Sequence, residues 1–116
     1  LVRALCRHCR VRHPNQDDVV AEMSLDNLAG DAPITLYRAG GCAHCSGTGY
    51  YGRMATAEIL VMNDSVRRLT LRRAEAGEIQ RAAVEHGMRT LYDDGLRKAI
   101  RGLTSIEEVL RVTREA

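Results

Sequence analysis

Two pairs of cysteines constrain this chain more than any other feature of its sequence. All four cysteines fall into Cys-x-x-Cys pairs, Cys6 with Cys9 and Cys42 with Cys45. Two residues between the ligands allow one tight turn to direct both sulfurs at one point, and two such turns supply the four tetrahedral ligands that zinc prefers. Because a shell of four thiolates leaves no position open for water, the spacing predicts a structural zinc site with Cys6, Cys9, Cys42 and Cys45 as its ligands.

Other uses of these cysteines fit the pattern less well. Disulfides would allow three pairings, but nothing in the sequence points to an oxidising compartment. A thioredoxin-like redox pair follows a strand and opens a helix, whereas both pairs here lie in loop-like sequence. His8 and His44 occupy matching positions inside the pairs. Since four thiolates suffice, we expect these imidazoles to cover the metal or to donate hydrogen bonds around it, not to bind it.

The composition suits one small folded domain or two very small ones. The chain has 116 residues, and 45% of them are hydrophobic but only 3% are aromatic, so we expect an aliphatic core. A net charge of +2 gives little reason to expect nucleic-acid binding, and we interpret the cluster of Arg3, Arg7, Arg10 and Arg12 as a solvated face.

No run approaches the roughly 20 apolar residues that span a bilayer, and no signal-peptide layout is present. We therefore expect a soluble, cytoplasmic protein.

By pattern, the chain divides into a tetracysteine zinc-binding subdomain at residues 1–62 and a helical C-terminal extension at residues 63–116. The first unit is rich in glycine, cysteine and turn residues, with a short helix expected around residues 17–23. Residues 34–38 alternate as a strand does, and residues 54–62 predict a second strand or a short buried segment. The glycine-rich stretch between them would make a β-hairpin. The predicted fold class is therefore α+β, with a small zinc subdomain containing a short hairpin before a mostly α-helical part.

Four helices are predicted in the second unit from their boundary signals. Asn63 or its neighbour caps the first helix, and Gly87 and Gly102 end the second and third, at residues 76–86 and 91–101. Thr104 followed by Glu107 fits a capping box for the fourth helix.

Sequence signals for catalysis are weak. Gly47, Gly49 and Gly52 have the spacing of a dinucleotide-binding fingerprint, but they follow a predicted metal ligand instead of a strand. We interpret these glycines as residues that let the backbone turn closely around zinc. The chain contains no Gly-x-x-x-x-Gly-Lys-Ser/Thr phosphate-binding loop. We therefore expect no catalytic residue and no nucleotide site in this chain, which by itself should not hydrolyse ATP.

Longer motifs around the cysteines resemble the C-terminal region of the ATPases of type II secretion and type IV pilus assembly. In the first half the motifs are Leu5-Cys6-x-x-Cys9, Gly41-Cys42-x-x-Cys45-x-Gly47-Thr48-Gly49-Tyr50-x-Gly52-Arg53 and Glu58. In the second half they are Gly87-Met88-Arg89-Thr90-Leu91, Asp94-Gly95-Leu96-Arg97-Lys98, Gly102-Leu103-Thr104-Ser105-Ile106-Glu107-Glu108-Val109 and Val112-Thr113. Residues 54–57 depart from the family pattern, which concerns local packing and not the metal site.

The resemblance implies that this chain is the C-terminal piece of a hexameric cytoplasmic ATPase with a RecA-like core, which drives export of folded proteins or assembly of pilus-like filaments. ATP and Mg²⁺ would bind only in the parent, upstream of this chain. The family's zinc-binding cysteines carry over to Cys6, Cys9, Cys42 and Cys45, and no catalytic residue does. Leu1-Val2-Arg3 slightly favours the secretion branch. The implied partners are neighbouring ATPase subunits and the inner-membrane platform protein, which would place the protein peripherally at that membrane.

Two alternative functions remain at this stage. One is a stand-alone zinc module of the chaperone type, because residues 42–49 resemble one repeat of the cysteine-rich region of J-domain cochaperones. The other is a zinc-bearing nucleic-acid binder, which the arginine cluster permits. Separated from its parent, the chain is also expected to self-associate through apolar residues 1–5 and 59–62.

Overall fold

The computed structural model of the protein describes residues 1–113, so residues 114–116, at the end of the predicted helical extension, lie outside the described part. The strands are β1 (Val2–Leu5), β2 (Val11–Arg12), β3 (Tyr37–Arg38) and β4 (Tyr50–Met54). The helices are α1 (Gln16–Met23), α2 (Leu25–Ala29), α3 (Asp64–Leu71), α4 (Ala76–Glu85), α5 (Leu91–Ile100) and α6 (Ile106–Thr113). This arrangement confirms the predicted α+β class.

The four strands form two small antiparallel sheets, β1 with β4 and β2 with β3. Val2 lies opposite Met54, and Arg12 lies opposite Tyr37. The predicted hairpin joined residues 34–38 to residues 54–62, but β3 pairs with β2 instead of with β4. The reason is that each Cys-x-x-Cys turn connects a strand of one sheet to a strand of the other. The two strands that flank one turn therefore pair with the strands that flank the other turn, and not with each other.

The segment after β4 differs from its prediction. The strand ends at Met54, and residues 55–63 continue without regular structure. Ile59 is 73% exposed and Val61 is 69% exposed, so the predicted strand or buried segment at 54–62 is wrong beyond Met54. The apolar composition made the segment look like core, but no described residue covers it.

The helices of the second half follow their boundary signals closely. The side chain of Asn63 accepts a hydrogen bond from the Val66 amide at 2.9 Å, as a helix N-cap does. Gly87 and Gly102 adopt positive φ angles of 100° and 75° just beyond α4 and α5.

Helix α6 has a different cap from the predicted one. The Ser105 hydroxyl accepts the Glu108 amide at 3.1 Å, whereas the Thr104 hydroxyl donates to the backbone carbonyl of Arg3 at 2.7 Å. The predicted pair of Thr104 and Glu107 is therefore displaced by one residue, because Thr104 is engaged by β1.

One aliphatic core joins both halves of the chain. Its fully buried members are Leu25, Leu36, Leu96, Ala99, Ile100, Ile106 and Val109. They come from α2, the loop before β3, α5 and α6, so the helices α5 and α6 pack onto the first 40 residues. Helices α3 and α4 pack on each other. Division of the chain at residue 62 stays a prediction.

Among residues 1–113, no helix combines the length and the apolar character that crossing a membrane requires.

Candidate metal centre

The four cysteine sulfurs come together in one cluster between the two sheets. The Sγ atoms of Cys6 and Cys42 lie 3.8 Å apart, those of Cys9 and Cys45 lie 3.7 Å apart, and those of Cys42 and Cys45 lie 3.8 Å apart. All four sulfurs lie within 4.8 Å of one another. Cys6 and Cys45 are buried, and Cys9 and Cys42 are half-buried.

These separations match a metal site better than a disulfide. A disulfide brings its sulfurs to about 2.05 Å. A tetrahedral zinc–thiolate site with bonds of about 2.3 Å requires sulfurs about 3.8 Å apart. Three of the six sulfur–sulfur separations, at 3.7 to 3.8 Å, equal that edge length, and all six are at most 4.8 Å, which suits one ion of zinc's size. Within the described residues, this is the only group of histidine, cysteine and acidic side chains dense enough to hold a metal.

Backbone hydrogen bonds shape both cysteine turns. In the first turn, the Arg10 amide donates to the Cys6 carbonyl at 3.0 Å. In the second, the Gly47 amide donates to the Cys42 carbonyl at 2.8 Å. The Cys6 amide also donates to the Gly49 carbonyl at 2.9 Å, which ties the first turn to the end of the second. These backbone hydrogen bonds therefore define the shape of both turns and connect them to each other.

Glycine is required at two positions beside the sulfurs. A Cβ atom at Gly40 would collide with the backbone carbonyl oxygen of Cys9. Gly49 has a φ of +82°, and a Cβ there would collide with the Cβ of Ala39. Of the three glycines that were expected to let the backbone turn closely around the site, Gly49 makes such a close approach, whereas a Cβ atom at Gly47 or Gly52 would meet no atom within 4 Å.

Amide groups directed at the sulfurs favour the thiolate form. The amides of Gly49 and Cys42 donate to the Sγ of Cys45 at 3.1 and 3.3 Å, and the Gly41 amide donates to the Sγ of Cys9 at 3.1 Å. Burial opposes ionisation of Cys45, but these amides and the neighbouring thiols bring its pKa down to about 6. For Cys9, burial and the three adjacent thiols prevail over the Gly41 amide and raise its pKa to about 12. The cluster thus holds one readily ionised sulfur, that of Cys45, beside the thiol of Cys9, whose ionisation is opposed.

The two histidines lie outside the sulfur cluster. His8 and His44 are exposed, their ring centroids lie 4.1 Å apart, and His44 stacks on Tyr51 at 4.5 Å. Neither imidazole is among the grouped ligand atoms or donates a hydrogen bond to a sulfur in the described structure. They form a small ring stack on the outer side of the two turns.

A buried ion cluster between β1 and α6 was not predicted from the sequence. Glu108 of α6 is fully buried, and its carboxylate accepts hydrogen bonds from the Arg3 amide at 2.7 Å, from the Arg3 guanidinium and from Arg111 at 2.8 Å. Arg111 first, and then Arg3, hold the pKa of Glu108 down at about 2 in spite of burial. Sequence alone offered no signal, because Arg3 and Glu108 lie at opposite ends of the chain.

The same contact region contains a second link between the halves of the chain. The Tyr50 hydroxyl lies 2.7 Å from the Ser105 hydroxyl, and the Arg3 guanidinium lies 4.1 Å over the Tyr50 ring. Arg10 donates to the Gly102 carbonyl and lies 4.0 Å over the Tyr37 ring. Arg3 and Arg10, two arginines of the predicted solvated face, therefore link the first half of the chain to the helices, and Arg3 remains exposed, as Arg7 and Arg12 are.

Comparison with known proteins gives matches along nearly the whole chain. A family model described as "Type II/IV secretion system protein" matches residues 1–111. The type II secretion system protein E of Xanthomonas campestris pv. campestris is 47% identical over 116 residues, which are all of this chain and 20% of that protein. The type IV pilus assembly ATPase PilB of Thermus thermophilus is 41% identical over 115 residues, which are 99% of this chain and 13% of that protein.

A third relative, the type II secretion system ATPase E of Vibrio cholerae, is 39% identical over 120 aligned residues, covering 100% of this chain and 22% of that protein. The chain thus spans only 13 to 22% of the length of these relatives.

Proposed function

This chain belongs to the type II/IV secretion system protein family, and we propose that it serves as the zinc-binding C-terminal module of a hexameric ATPase that powers protein export by type II secretion. The observation that carries the proposal is the close cluster of Cys6, Cys9, Cys42 and Cys45, set in a chain that secretion ATPases match throughout. Both the pilus assembly ATPase, at 41% identity, and the secretion protein, at 47% identity, support membership of the family. The higher identity of the secretion protein favours the secretion branch within it.

Zinc is proposed as the structural element that holds the cysteine turns in place. The turns connect two-stranded sheets, which are marginal in water by themselves. A small unit with few aromatic side chains buries too little surface to stabilise such turns. Binding of zinc to four thiolates supplies on the order of 10 kcal/mol in small modules, and a closed shell leaves no position for substrate. The metal would therefore stabilise the module and take no part in a reaction.

Nucleotide chemistry is assigned to the rest of the parent protein. Because no phosphate-binding loop is present in this sequence, ATP and Mg²⁺ would bind upstream. We expect the purified chain to release no phosphate from ATP above the rate of a heat-unfolded sample. ATP hydrolysis that follows the folded chain through purification would contradict this assignment.

The rigid module is proposed to contact a neighbouring ATPase subunit or the inner-membrane platform protein. Its exposed His8, His44 and Tyr51 form a stack of rings beside the cysteine turns, which is the surface that we propose for this contact. Such contacts would keep the parent on the cytoplasmic face of the inner membrane. The relatives give no reason to favour a stand-alone chaperone-like or nucleic-acid-binding module.

The test is a secretion assay with the full-length parent carrying Cys42→Ser and Cys45→Ser. We expect loss of secretion and of stable hexamers, because two of the four ligands are removed. Ala43→Ser is the matched control, since it adds the same hydroxyl to an exposed position of the same turn without removing a ligand. Normal assembly and secretion by the double variant would refute the proposal.

A further inference from the structure

A basic cavity lies apart from the cysteine cluster, since no cysteine lines it. It has a volume of about 330 Å³ and lies between α5 and the loop that follows α2. Arg89, Arg97, Lys98 and Arg101 line it, and Asp94 is the only acidic lining residue. Four cations therefore face one carboxylate in this cavity.

Asp94 does not neutralise the cavity. Its carboxylate is already paired with the Lys98 ammonium at 2.9 Å, and it accepts the Ala57 amide at 3.0 Å. Within residues 1–113, Arg89, Arg97 and Arg101 have no carboxylate within ion-pair distance. The three guanidinium groups thus leave an excess of positive charge at one place.

Arg97 supplies the most specific signal. Its Nη1 atom donates to the Leu28 carbonyl at 3.2 Å, which holds the guanidinium at the cavity wall. Its Nε atom is buried and has no hydrogen-bond partner in the described structure. Because that nitrogen is closed off from the cavity, an anion there would be bound through the other nitrogens of the guanidinium. A guanidinium donates in a fixed fork, which matches the oxygens of an oxyanion.

The apolar residues that line the rest of the cavity would strengthen binding of an anion. Leu28, Ala29, Pro33 and Ile100 line the cavity with apolar surface. Apolar walls lower the local dielectric constant, so each charge–charge interaction inside is stronger than in open water.

We propose that this cavity binds a phosphate group, with the Arg97 guanidinium as its principal donor and Arg89 and Arg101 as further cationic contacts. The group could belong to free phosphate or to a nucleotide, since both present the same oxygens. This inference does not depend on the proposed zinc module, because the cavity and the sulfur cluster share no residue.

The experiment is an NMR titration of the ¹⁵N-labelled chain with inorganic phosphate, at constant ionic strength maintained with potassium chloride. We expect saturable shifts of the Arg97 Nε–H resonance and of amides near Leu28 and Ile100. Arg97→Gln should weaken binding at least about tenfold, the usual effect of losing a charged hydrogen bond. The matched control is Arg81→Gln, which removes an equal charge from an exposed site on α4 and should leave binding unchanged.

A second variant and a second ligand make the result decisive. Arg101→Gln tests the cavity even if loss of the Leu28 contact perturbs the fold of the Arg97 variant, because Arg101 is exposed. A parallel titration with ADP identifies the source: tighter binding of ADP indicates a nucleotide, and equal binding indicates phosphate itself. Shifts that rise linearly without saturation, or that Arg81→Gln reduces as much as Arg97→Gln does, would overturn the proposal.

Discussion

Gly49 combines two roles in a single residue of the cysteine cluster. Its amide donates to the Cys45 sulfur at 3.1 Å, and its lack of a Cβ atom allows the chain to pass Ala39 without a collision at a φ of +82°. We expect Gly49→Ala to lower zinc affinity at least about tenfold, because the new methyl group displaces the amide from the sulfur. Competition with a chromogenic chelator measures this affinity.

Gly47→Ala is the matched control for that prediction. Gly47 has nearly the same φ of +79°, but a Cβ atom there would meet no atom within 4 Å. Both variants carry the same backbone strain, so the difference between them isolates the collision with Ala39. Equal zinc affinities for the two variants would contradict the role given to Gly49.

At the residue scale, the sequence predicted the cluster but not its support. The Cys-x-x-Cys spacing predicts that each pair shares one turn, and the pairing of β1 with β4 and of β2 with β3 brings the two turns together. That these cysteines bind zinc stays a prediction. Glu108 was not predicted, because a buried acidic residue is recognisable only when its distant partners Arg3 and Arg111 are known.

At the scale of elements, Glu108 connects α6 to β1. We expect Glu108→Gln to lower the free energy of unfolding by about 2–3 kcal/mol at pH 7, since the amide leaves two arginines without their carboxylate. The value lies at the low end for a buried pair because Arg3 and Arg111 are about half exposed and screened by water. Denaturant unfolding followed by circular dichroism measures the difference.

The loss of stability in Glu108→Gln depends on pH. The folded pKa of Glu108 is about 2, below its usual value of about 4.3 in unfolded chains. A lowered pKa contributes stability that is present above pH 4.3 and is lost as the pH falls towards 2. The difference in unfolding free energy between the wild type and Glu108→Gln should therefore shrink as the pH falls from about 4.3 to about 2. Glu107→Gln, an exposed neighbour on α6, should show little change, and an equal loss in both variants would contradict the prediction.

The elements themselves were predictable to different degrees. Helices α3 to α5 follow local signals such as Asn63 and Gly87, which act within a few residues of the helix end. The strand partners were not predictable in the same way, because β1 and β4 come together from opposite sides of the cysteine turns. Periodicity describes which residues can form a strand, and it carries no information on a distant partner.

For the whole molecule, the largest exposed apolar feature is the segment formed by residues 59–62. Ile59, Leu60, Val61 and Met62 are 73%, 42%, 69% and 52% exposed, and Leu1 is 68% exposed. Of the predicted apolar face at residues 1–5, Val2 and Leu5 are buried instead. Four consecutive exposed apolar residues are unusual on a monomer and favour association.

We expect the isolated chain to self-associate through this segment in sedimentation velocity experiments. Ile59→Ser combined with Val61→Ser should shift the chain towards the monomer, because it removes the two most exposed side chains of the segment. Leu71→Ser is the control, since Leu71 is 77% exposed but lies on α3, outside the segment. A chain that stays monomeric at millimolar concentration would refute the expectation.

The measurement that tests the central claim most directly is the metal content of the purified chain, combined with thermal unfolding before and after treatment with a strong chelator. We expect one zinc ion per chain. Its removal should melt β1 to β4 at a lower temperature than the aliphatic core of α2, α5 and α6. A chain that contains no metal, or one whose unfolding is unaffected by the chelator, would contradict a structural zinc site at Cys6, Cys9, Cys42 and Cys45.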